Sequence, residues 1–203
     1  MKKTLLAVFA AAAIAAPAGA QQADVWTIDA AHSSAQFAVK HMMVSTVRGT
    51  LGQLTGTIAW DGRDVKTIRA DIAIDVAGLD TGVDKRDEHL RSADFFDAAN
   101  HPAITFTSKR VVPGAAGAFK LVGDLTIRGN TKEVALEVEG PSAPQKMGNN
   151  VRSGATATGT INRKEFGLAW SRLIETGGAV VGDEVRMTID VEATRPAVPA
   201  AQD

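Results

Sequence analysis

TIRADIAIDV, residues 67–76, alternates apolar and polar side chains along most of its length. Ile68 and Ile72 share one parity, whereas Arg69 and Asp71 share the other. Successive side chains of a β-strand point to opposite faces, so this stretch predicts a strand with one apolar face and one solvated face. A chain built from such strands is expected to be all-β, with its core between the apolar faces.

The same alternation recurs in seven further segments, so we expect about eight antiparallel strands. These segments are SAQFAVKHM (34–42), LTGTIAW (54–60), AITFTSKRV (103–111), FKLVGDLTI (119–127), EVALEVE (133–139), RSGATATGTI (152–161) and EVRMTIDVEA (184–193). Turn residues separate several of them, and RGN (128–130) predicts a tight hairpin turn.

One long segment departs from this alternation. VDKRDEHLRSADFFDAANHP (83–102) has most of its charged residues in the first half and Phe95 and Phe96 after them, which predicts a short amphipathic helix followed by an irregular turn. A second short helical turn is predicted at NRKEFG (162–167). The phenylalanine pair could be a hydrophobic plug under the helix or a lid over the mouth of a cavity.

Strands with one apolar face can form a sandwich or close into a barrel. The apolar parity contains many small residues, and an eight-stranded barrel with a small-residue interior has room for one ligand. Small residues also let two sheets pack closely, so they favour a cavity without requiring one. They are Ala35, Ala70, Gly123, Ala155, Ala157 and Gly159.

The first twenty residues, MKKTLLAVFAAAAIAAPAGA, are typical of a secretory signal peptide. Lys2 and Lys3 form its basic start, an apolar run follows, and Ala18-Gly19-Ala20 is a small-residue cleavage site. Neither this run nor any later segment has the roughly 20 apolar residues that a membrane-spanning helix needs. We therefore expect an exported protein without an integral membrane segment.

Composition and charge narrow the remaining function classes. The chain has no cysteine, which excludes disulfides, a thiol-linked lipid anchor and a thiolate metal site. Loss of the signal would shift the net charge from −1 to about −3, so nothing attracts nucleic acid. We predict a single domain over 21–194 and a disordered tail over 195–203.

Asp29, His32 and Ser33 contain the residue types of a hydrolase triad. They lie within five residues at the start of a strand, where such side chains commonly bond nearby backbone groups, so we interpret them as a structural motif. No GxSxG elbow is present. The four histidines show no metal-site spacing. We predict no enzyme activity, no metal and no cofactor beyond a non-covalently bound lipid or quinone.

His41 continues the apolar parity of Phe37 and Val39. Such a histidine could be a core residue satisfied by one hydrogen bond, or a polar group that meets the head of a ligand. Arg48 could assist it if the head group is a phosphate.

Four blocks of the sequence resemble the YceI-like family of periplasmic polyisoprenoid-binding proteins, from Val25 to about Thr194. The blocks are WTIDAAHSSAQFAVKHMMVSTVRGTL, DKRDEHLRSADFFDAANHPAITFTS, GDLTIRGNTKEVALEVE and ATGTINRKEFGLAW. Within them the residues that match family motifs are Asp29, His32, Ser33, Phe37, His41, Ser45, Gly49, Leu90, Phe95, Phe96, His101, Pro102, Thr126, Ile127, Arg128, Gly129, Phe166 and Gly167.

The resemblance implies a lipocalin-like, extended antiparallel eight-stranded barrel with one short helix after the fourth strand region. It also implies a periplasmic location, a homodimer in some members, and an elongated apolar interior for a long isoprenoid chain. Relatives of this family are associated with prenyl phosphates, isoprenoid quinones or fatty amides, and no enzymatic activity is established for the family as a whole.

Our hypothesis is binding, transport or sequestration of a long-chain isoprenoid lipid in an apolar tunnel. A fatty acid or fatty amide is the alternative cargo. Two rival functions are a hydrolase or isomerase for a small apolar substrate, and a stress-response interaction protein with a filled barrel. The predicted tunnel residues are Phe37, Val39, Leu54, Ile58, Ile72, Ile74, Phe95, Phe96, Phe106, Leu125, Trp170 and Ile189, with His41 and Arg48 at the head group.

Overall fold

Strands cover most of the chain. The computed structural model describes residues 24–115, 117–173 and 179–197. Within them lie one α-helix, α1 (Asp84–Arg91), and two 3₁₀ turns, Val65–Thr67 and Arg163–Phe166. The strands are β1 (Asp24–Ile28), β2 (Ser34–His41), β3 (Ser45–Thr50), β4 (Leu54–Trp60), β5 (Arg69–Asp75), β6 (Ala103–Pro113), β7 (Ala118–Ile127), β8 (Asn130–Glu139), β9 (Gln145–Met147), β10 (Asn150–Asn162) and β11 (Val181–Pro196).

Eight of these strands close into a barrel at the β10–β11 pair. The register of this pair runs from Asn150 opposite Pro196 to Asn162 opposite Glu184. Around the ring the order is β11-β1-β4-β5-β6-β7-β8-β10, and all neighbours are antiparallel. The predicted lipocalin-like, all-β barrel with one short helix is therefore confirmed.

The β2–β3 hairpin extends the barrel wall beside this ring. β2 pairs with the first part of β11, from Val181 opposite His41 to Asp190 opposite Ser34. β1 pairs with the last part of β11, at Ala193 and Thr194. β1 and β2 therefore follow one another along the same side of β11, and the hairpin carries the wall beyond the eight-stranded ring.

All eight segments with predicted alternation are strands, but they are not the eight strands of the ring. β1, β3 and β9 were not predicted, and β1 belongs to the ring whereas β2 does not. β1 is only five residues long and buries just Trp26 and Ile28. Two inward residues are too few to show the two-residue period of a strand, so the sequence pattern does not predict β1.

β11 continues into the segment predicted to be a disordered tail. Arg195 and Pro196 are part of the strand. The guanidinium of Arg195 lies 5.0 Å from the ring centre of Trp26, and its Nε lies 3.2 Å from Asp24 Oδ2. The tail prediction is therefore wrong for these two residues, whereas 198–203 and the predicted signal peptide at 1–20 lie outside the described residues.

The predicted hairpin turn joins β7 to β8. Ile127 pairs with Asn130, and the two residues between them, Arg128 and Gly129, have φ of 48° and 72°. This is the left-handed two-residue turn that suits the twist of a hairpin. The Arg128 side chain donates to the carbonyls of Ala93 (2.7 Å) and Gly167 (2.9 Å), so the turn also ties together the segment after α1 and the second 3₁₀ turn.

The predicted helical segments are present. α1 is followed by turns, and its buried Asp87 accepts hydrogen bonds from the backbone N–H and the hydroxyl of Thr81, which fixes the helix to the chain that precedes it. The 3₁₀ turn at Arg163–Phe166 coincides with the second predicted turn. Among the described residues, no helix has both the length and the apolar character that crossing a membrane would require.

We predict that Gly56 is required by the backbone of β4. Gly56 has φ of 141°, and a Cβ there would lie 2.1 Å from the carbonyl oxygen of Asp71 on β5. Gly82 also has positive φ, but a Cβ there would meet nothing within 4 Å. Gly82→Ala is expected to cost about 1 kcal/mol from strain alone, and Gly56→Ala at least about twice that. Urea unfolding measures both, and equal losses would contradict the steric explanation.

Candidate functional site

The barrel encloses an apolar cavity of about 220 Å³. An apolar cavity of roughly 150 Å³ is already known to stay free of water and to take up an apolar guest. Nearly all of the lining residues are apolar, and the exceptions with polar side chains are Gln36, Ser153 and Arg163. The cavity therefore offers a ligand dispersion contacts and exclusion from water, with few hydrogen-bonding groups.

The cavity is elongated along the strands. On β11 its wall runs from Val181 to Ala193, and on β10 from Ser153 to Ile161. These thirteen residues of β11 would cover about 40 Å if fully extended, which corresponds to at most about 30 Å along the axis of a barrel whose strands are tilted by roughly 40°. A long, narrow chain suits such a cavity better than a compact ligand does.

The small residues at the inward-facing strand positions have two different effects. Ala35, Ala70, Ala155 and Ala157 line the cavity, where their short side chains leave space. A Cβ at Gly123 would lie 2.5 Å from the carbonyl oxygen of Thr107, and one at Gly159 would lie 2.8 Å from a methyl group of Leu136. The alanines thus create volume, whereas the two glycines allow close packing.

The structure brings ten of the twelve predicted tunnel residues together in the cavity wall. They are Phe37, Val39, Ile58, Ile72, Ile74, Phe95, Phe96, Phe106, Leu125 and Ile189. Their contact with a ligand stays a prediction.

The other two predicted tunnel residues lie outside the wall. Leu54 is 1% exposed and is packed in the core, but it is not among the residues that line the cavity. Trp170 stacks behind the wall, with its ring centre 5.2 Å from that of Phe95 and 4.8 Å from that of His89. The alternation reports which face a side chain takes, but not whether empty space lies opposite it.

The segment after α1 closes one side of the cavity. Phe95, Phe96 and Leu90 line it, and His89 packs edge-on against Phe95 at 5.0 Å between ring centres. His89 Nε2 lies 2.9 Å from Asp94 Oδ2, which orients the imidazole. In this structure the phenylalanine pair is part of the wall, supported from behind by His89 and Trp170.

Neither predicted head-group residue lies in the cavity wall. His41 is half-buried at the end of β2, opposite Ser45 and Val181, and no hydrogen bond to its ring is present among the described residues. Arg48 is exposed on β3 opposite Ala38, on the face turned away from the cavity. His41 therefore lies beyond the last cavity residue of its strand, Val39.

The charged group that does reach the wall is Arg163, which the strand pattern did not single out. It is 4% exposed, and its donors are directed to the carbonyls of Leu168, Trp170, Val181 and Gly182 and to Asp183 Oδ1. Burial lowers the pKa of its guanidinium, while Asp183 acts in the opposite direction. With its N–H groups occupied, Arg163 joins the start of β11 to the 168–170 segment and is not available to a phosphate. The only sequence signal was its place in the NRKEFG turn.

Asp29, His32 and Ser33 organise the turn between β1 and β2. The Ser33 hydroxyl donates to the carbonyl of Glu192 (3.2 Å) and accepts from its N–H (3.0 Å). His32 Nδ1 lies 3.0 Å from Asp29 Oδ2, and the Arg152 guanidinium contacts the carboxylates of both Asp29 and Glu192. The serine is thus bonded to backbone and not to the histidine, which is not the geometry of a nucleophile and its base.

This cluster also contains three side chains that could in principle bind a metal ion. Among the described residues, the potential ligand atoms of Asp29, His32 and Glu192 all lie within 4.8 Å of one another. The guanidinium of Arg152 already pairs with both carboxylates of this cluster. None of these side chains lines the cavity. Their arrangement supports the interpretation as a structural motif that links β1, β10 and β11.

Comparison with known proteins identifies one family. The sequence model of the YceI-like domain matches residues 26–193. A UPF0312 protein of Staphylococcus aureus (strain bovine RF122) is 39% identical over 169 residues, which cover 82% of this chain and 95% of that protein.

Two solved structures share the barrel. BcnA of Burkholderia cenocepacia superposes with a TM-score of 0.69 at 24% identity, covering 81% of this chain and 98% of BcnA. A domain from Saccharophagus degradans, described as a polyisoprenoid-binding domain implicated in plant cell wall breakdown, superposes with a TM-score of 0.63 at 18% identity. The match covers 87% of this chain and all of that domain. At these identities the likeness shows the fold.

We predict that the Arg152 cluster stabilises the barrel in a pH-dependent way. Hydrogen bonds from His32 and Arg152 hold the pKa of the Asp29 carboxyl below its ordinary value. A depressed carboxyl pKa contributes stability that is fully present above about pH 4 and is lost as the pH falls through the folded-state pKa. Arg152→Ala should therefore lower the thermal unfolding midpoint by several degrees at neutral pH, and the difference from the parent should shrink as the pH falls below about 4.

Lys120→Ala is the matched control, because Lys120 and Glu137 form a highly exposed ion pair at 2.7 Å. Such pairs contribute little to stability. A pH-independent loss on Arg152→Ala, or an equal loss on Lys120→Ala, would show that the cluster does not act through the Asp29 carboxylate.

Proposed function

The chain belongs to the YceI-like family, and on this premise we propose that its barrel binds a long-chain isoprenoid lipid, a prenyl phosphate or an isoprenoid quinone. In this proposal the protein carries or sequesters the lipid in the periplasm after export by its predicted signal peptide. The homodimer implied by the family resemblance stays a prediction.

The observation that carries the proposal is the elongated apolar cavity. Its wall extends for thirteen residues along β11 and is built from aliphatic and aromatic side chains with few polar groups. Removing apolar surface from water provides about 25 cal/mol per Å², so a long hydrocarbon chain would bind without any specific polar chemistry. The description of a structural neighbour as a polyisoprenoid-binding domain points in the same direction.

The arrangement of polar groups sets where the head of such a lipid would lie. Arg163 is saturated by backbone carbonyls and Asp183, so it offers no free donor inside the cavity. A charged phosphate left unpaired in an apolar interior would be strongly disfavoured. We therefore place the head group at an end of the cavity and the isoprenoid chain inside. His41 and Arg48 stay candidates only for contacts outside the wall.

The arrangement of polar side chains around the cavity suits a binding protein better than an enzyme. Asp29, His32 and Ser33 lie outside the cavity wall, and the Ser33 hydroxyl is held by the backbone of Glu192. The polar side chains that do line the cavity are those of Gln36, Ser153 and Arg163. Ser153 donates its hydroxyl proton to the carbonyl of Ser142 at 2.7 Å. These contacts support a lipid-holding role without turnover.

The ligand class is testable by extraction. The mature protein, purified from its native periplasm without detergent and extracted with organic solvent, is expected to release about one prenyl lipid per chain, which mass spectrometry identifies. Recovery of a fatty acid or fatty amide would replace the isoprenoid proposal with the alternative cargo. An empty protein that also fails to take up geranylgeraniol, a prenyl alcohol, would refute lipid binding altogether.

A cavity-filling substitution tests the site itself. Ala157 lines the middle of the cavity and pairs with two other lining residues, Ile189 and Val138. Ala157→Phe should occupy the space of the chain and weaken geranylgeraniol binding at least tenfold. Thr158→Phe, one residue along β10 on the exposed face, is the matched control and should leave the affinity within about twofold. Circular dichroism checks that both variants fold, and equal affinities would place the ligand elsewhere.

A further inference from the structure

The tip of the β2–β3 hairpin exposes three apolar side chains in a row. Met42 is 41% exposed, Met43 65% and Val44 83%. Single exposed apolar residues are common on protein surfaces, whereas a contiguous group of large ones often marks a contact with a partner or a membrane.

Leu173, which is 88% exposed, extends this group. The Met42 N–H donates to the carbonyl of Val180 (2.9 Å), and the Val180 N–H donates to the carbonyl of Arg172 (2.9 Å). Leu173 in turn bridges to Ala179. Residues 179–180 thus lie between Met42 and the 172–173 backbone, and two such hydrogen-bonded spacings amount to about 10 Å. We group Met42, Met43, Val44 and Leu173 as one surface, the apolar tip.

Folding of the hairpin does not explain these residue types. Met42 and Met43 have φ of 51° and 63°, in the left-handed region that favours glycine, asparagine or aspartate in turns. Two large apolar side chains at these positions strain the backbone. Because both are exposed, packing in the core does not offset this strain. An external contact would account for them.

The apolar tip lies next to one end of the cavity. Val39 and Val181 line the cavity, and Val181 pairs with His41, the residue that precedes the tip. Met42 is three positions along the chain from Val39, a distance of about 10 Å. Whatever the tip contacts is therefore close to this end of the cavity.

The charges around the tip identify the chemistry of its partner. Lys40, Arg48 and Arg172 are exposed near it, on β2, on β3 and beside Leu173. Two carboxylates of β11 lie nearby: that of Asp183 is already paired with Arg163 and Lys164, and that of the exposed Glu184 lies in the irregular stretch between Val181 and Val185. The three basic residues therefore outnumber the exposed acidic one. Apolar side chains within a basic rim match the apolar interior and anionic head groups of a lipid surface.

We propose that the apolar tip docks the protein on the surface of an anionic lipid bilayer. Its four apolar side chains insert at the level of the head groups, while the three basic residues contact anionic lipids. Docking would bring the adjacent end of the cavity to the bilayer, and its use for lipid exchange rests on the proposed function. A second copy of the chain is the less suitable occupant, since stable protein interfaces involve about 20–30 residues a side.

Flotation with lipid vesicles tests the proposal on the full mature chain. The parent is expected to float with vesicles containing phosphatidylglycerol and much less with vesicles of phosphatidylcholine alone. A triple variant, Met43→Asn, Val44→Ser and Leu173→Ser, should reduce the bound fraction at least tenfold, with asparagine chosen because it tolerates positive φ. The matched control is Val25→Ser, Val112→Ser and Met147→Ser, which removes three other apolar side chains of 41–63% exposure and should float like the parent.

Three outcomes would overturn the docking proposal. They are a parent that does not float, a control that loses binding as strongly as the triple variant, and a parent dimer in light scattering that the triple variant alone abolishes. Uptake of geranylgeraniol from solution, without vesicles, separates docking from the proposed function. The triple variant should keep this uptake, whereas a parent that floats but takes up no lipid would leave docking intact and refute the cavity proposal.

Discussion

The β10–β11 ladder is the interaction on which the rest of the structure depends. It joins the two ends of an eight-stranded sheet along the whole of β10. Because it is closed, the sheet turns one face of every strand toward a common axis, and the apolar residues of that parity become the wall of a cavity. The β2–β3 hairpin is built on the same scaffold, since β2 pairs with the free side of β11.

The interior contains a cavity because of the balance between small and large residues among its inward-facing positions. Alanines at positions 35, 70, 155 and 157 leave space that aromatic residues at other positions do not fill. The buried Arg163 strengthens the end of the barrel without making it polar, as its donors are satisfied by carbonyls and Asp183. A polar network that is fully satisfied can border an apolar cavity without attracting a charged ligand into it.

The cavity wall was largely predictable from sequence, and the polar groups were not. Ile72 and Ile189 could be placed because strand alternation alone decides which face they take. Leu54 and Trp170 could not, because Leu54 is packed within the core and Trp170 lies in an irregular segment behind the wall, against Phe95 and His89. His41 has the correct parity but lies beyond the end of the cavity, and Arg163 lies in a turn, where no periodicity reports orientation.

The sequence by itself determined the all-β class, the eight alternating strands, the short helix, the tight hairpin turn at 128–130, and the family. These features depend on neighbours along the chain, which local patterns record. Only the tertiary structure decided that β1 replaces β2 in the ring, that Arg163 borders the cavity and that Leu173 joins the hairpin tip. Each of these depends on pairing between segments far apart in sequence, and alternation within one strand carries no information about its partners.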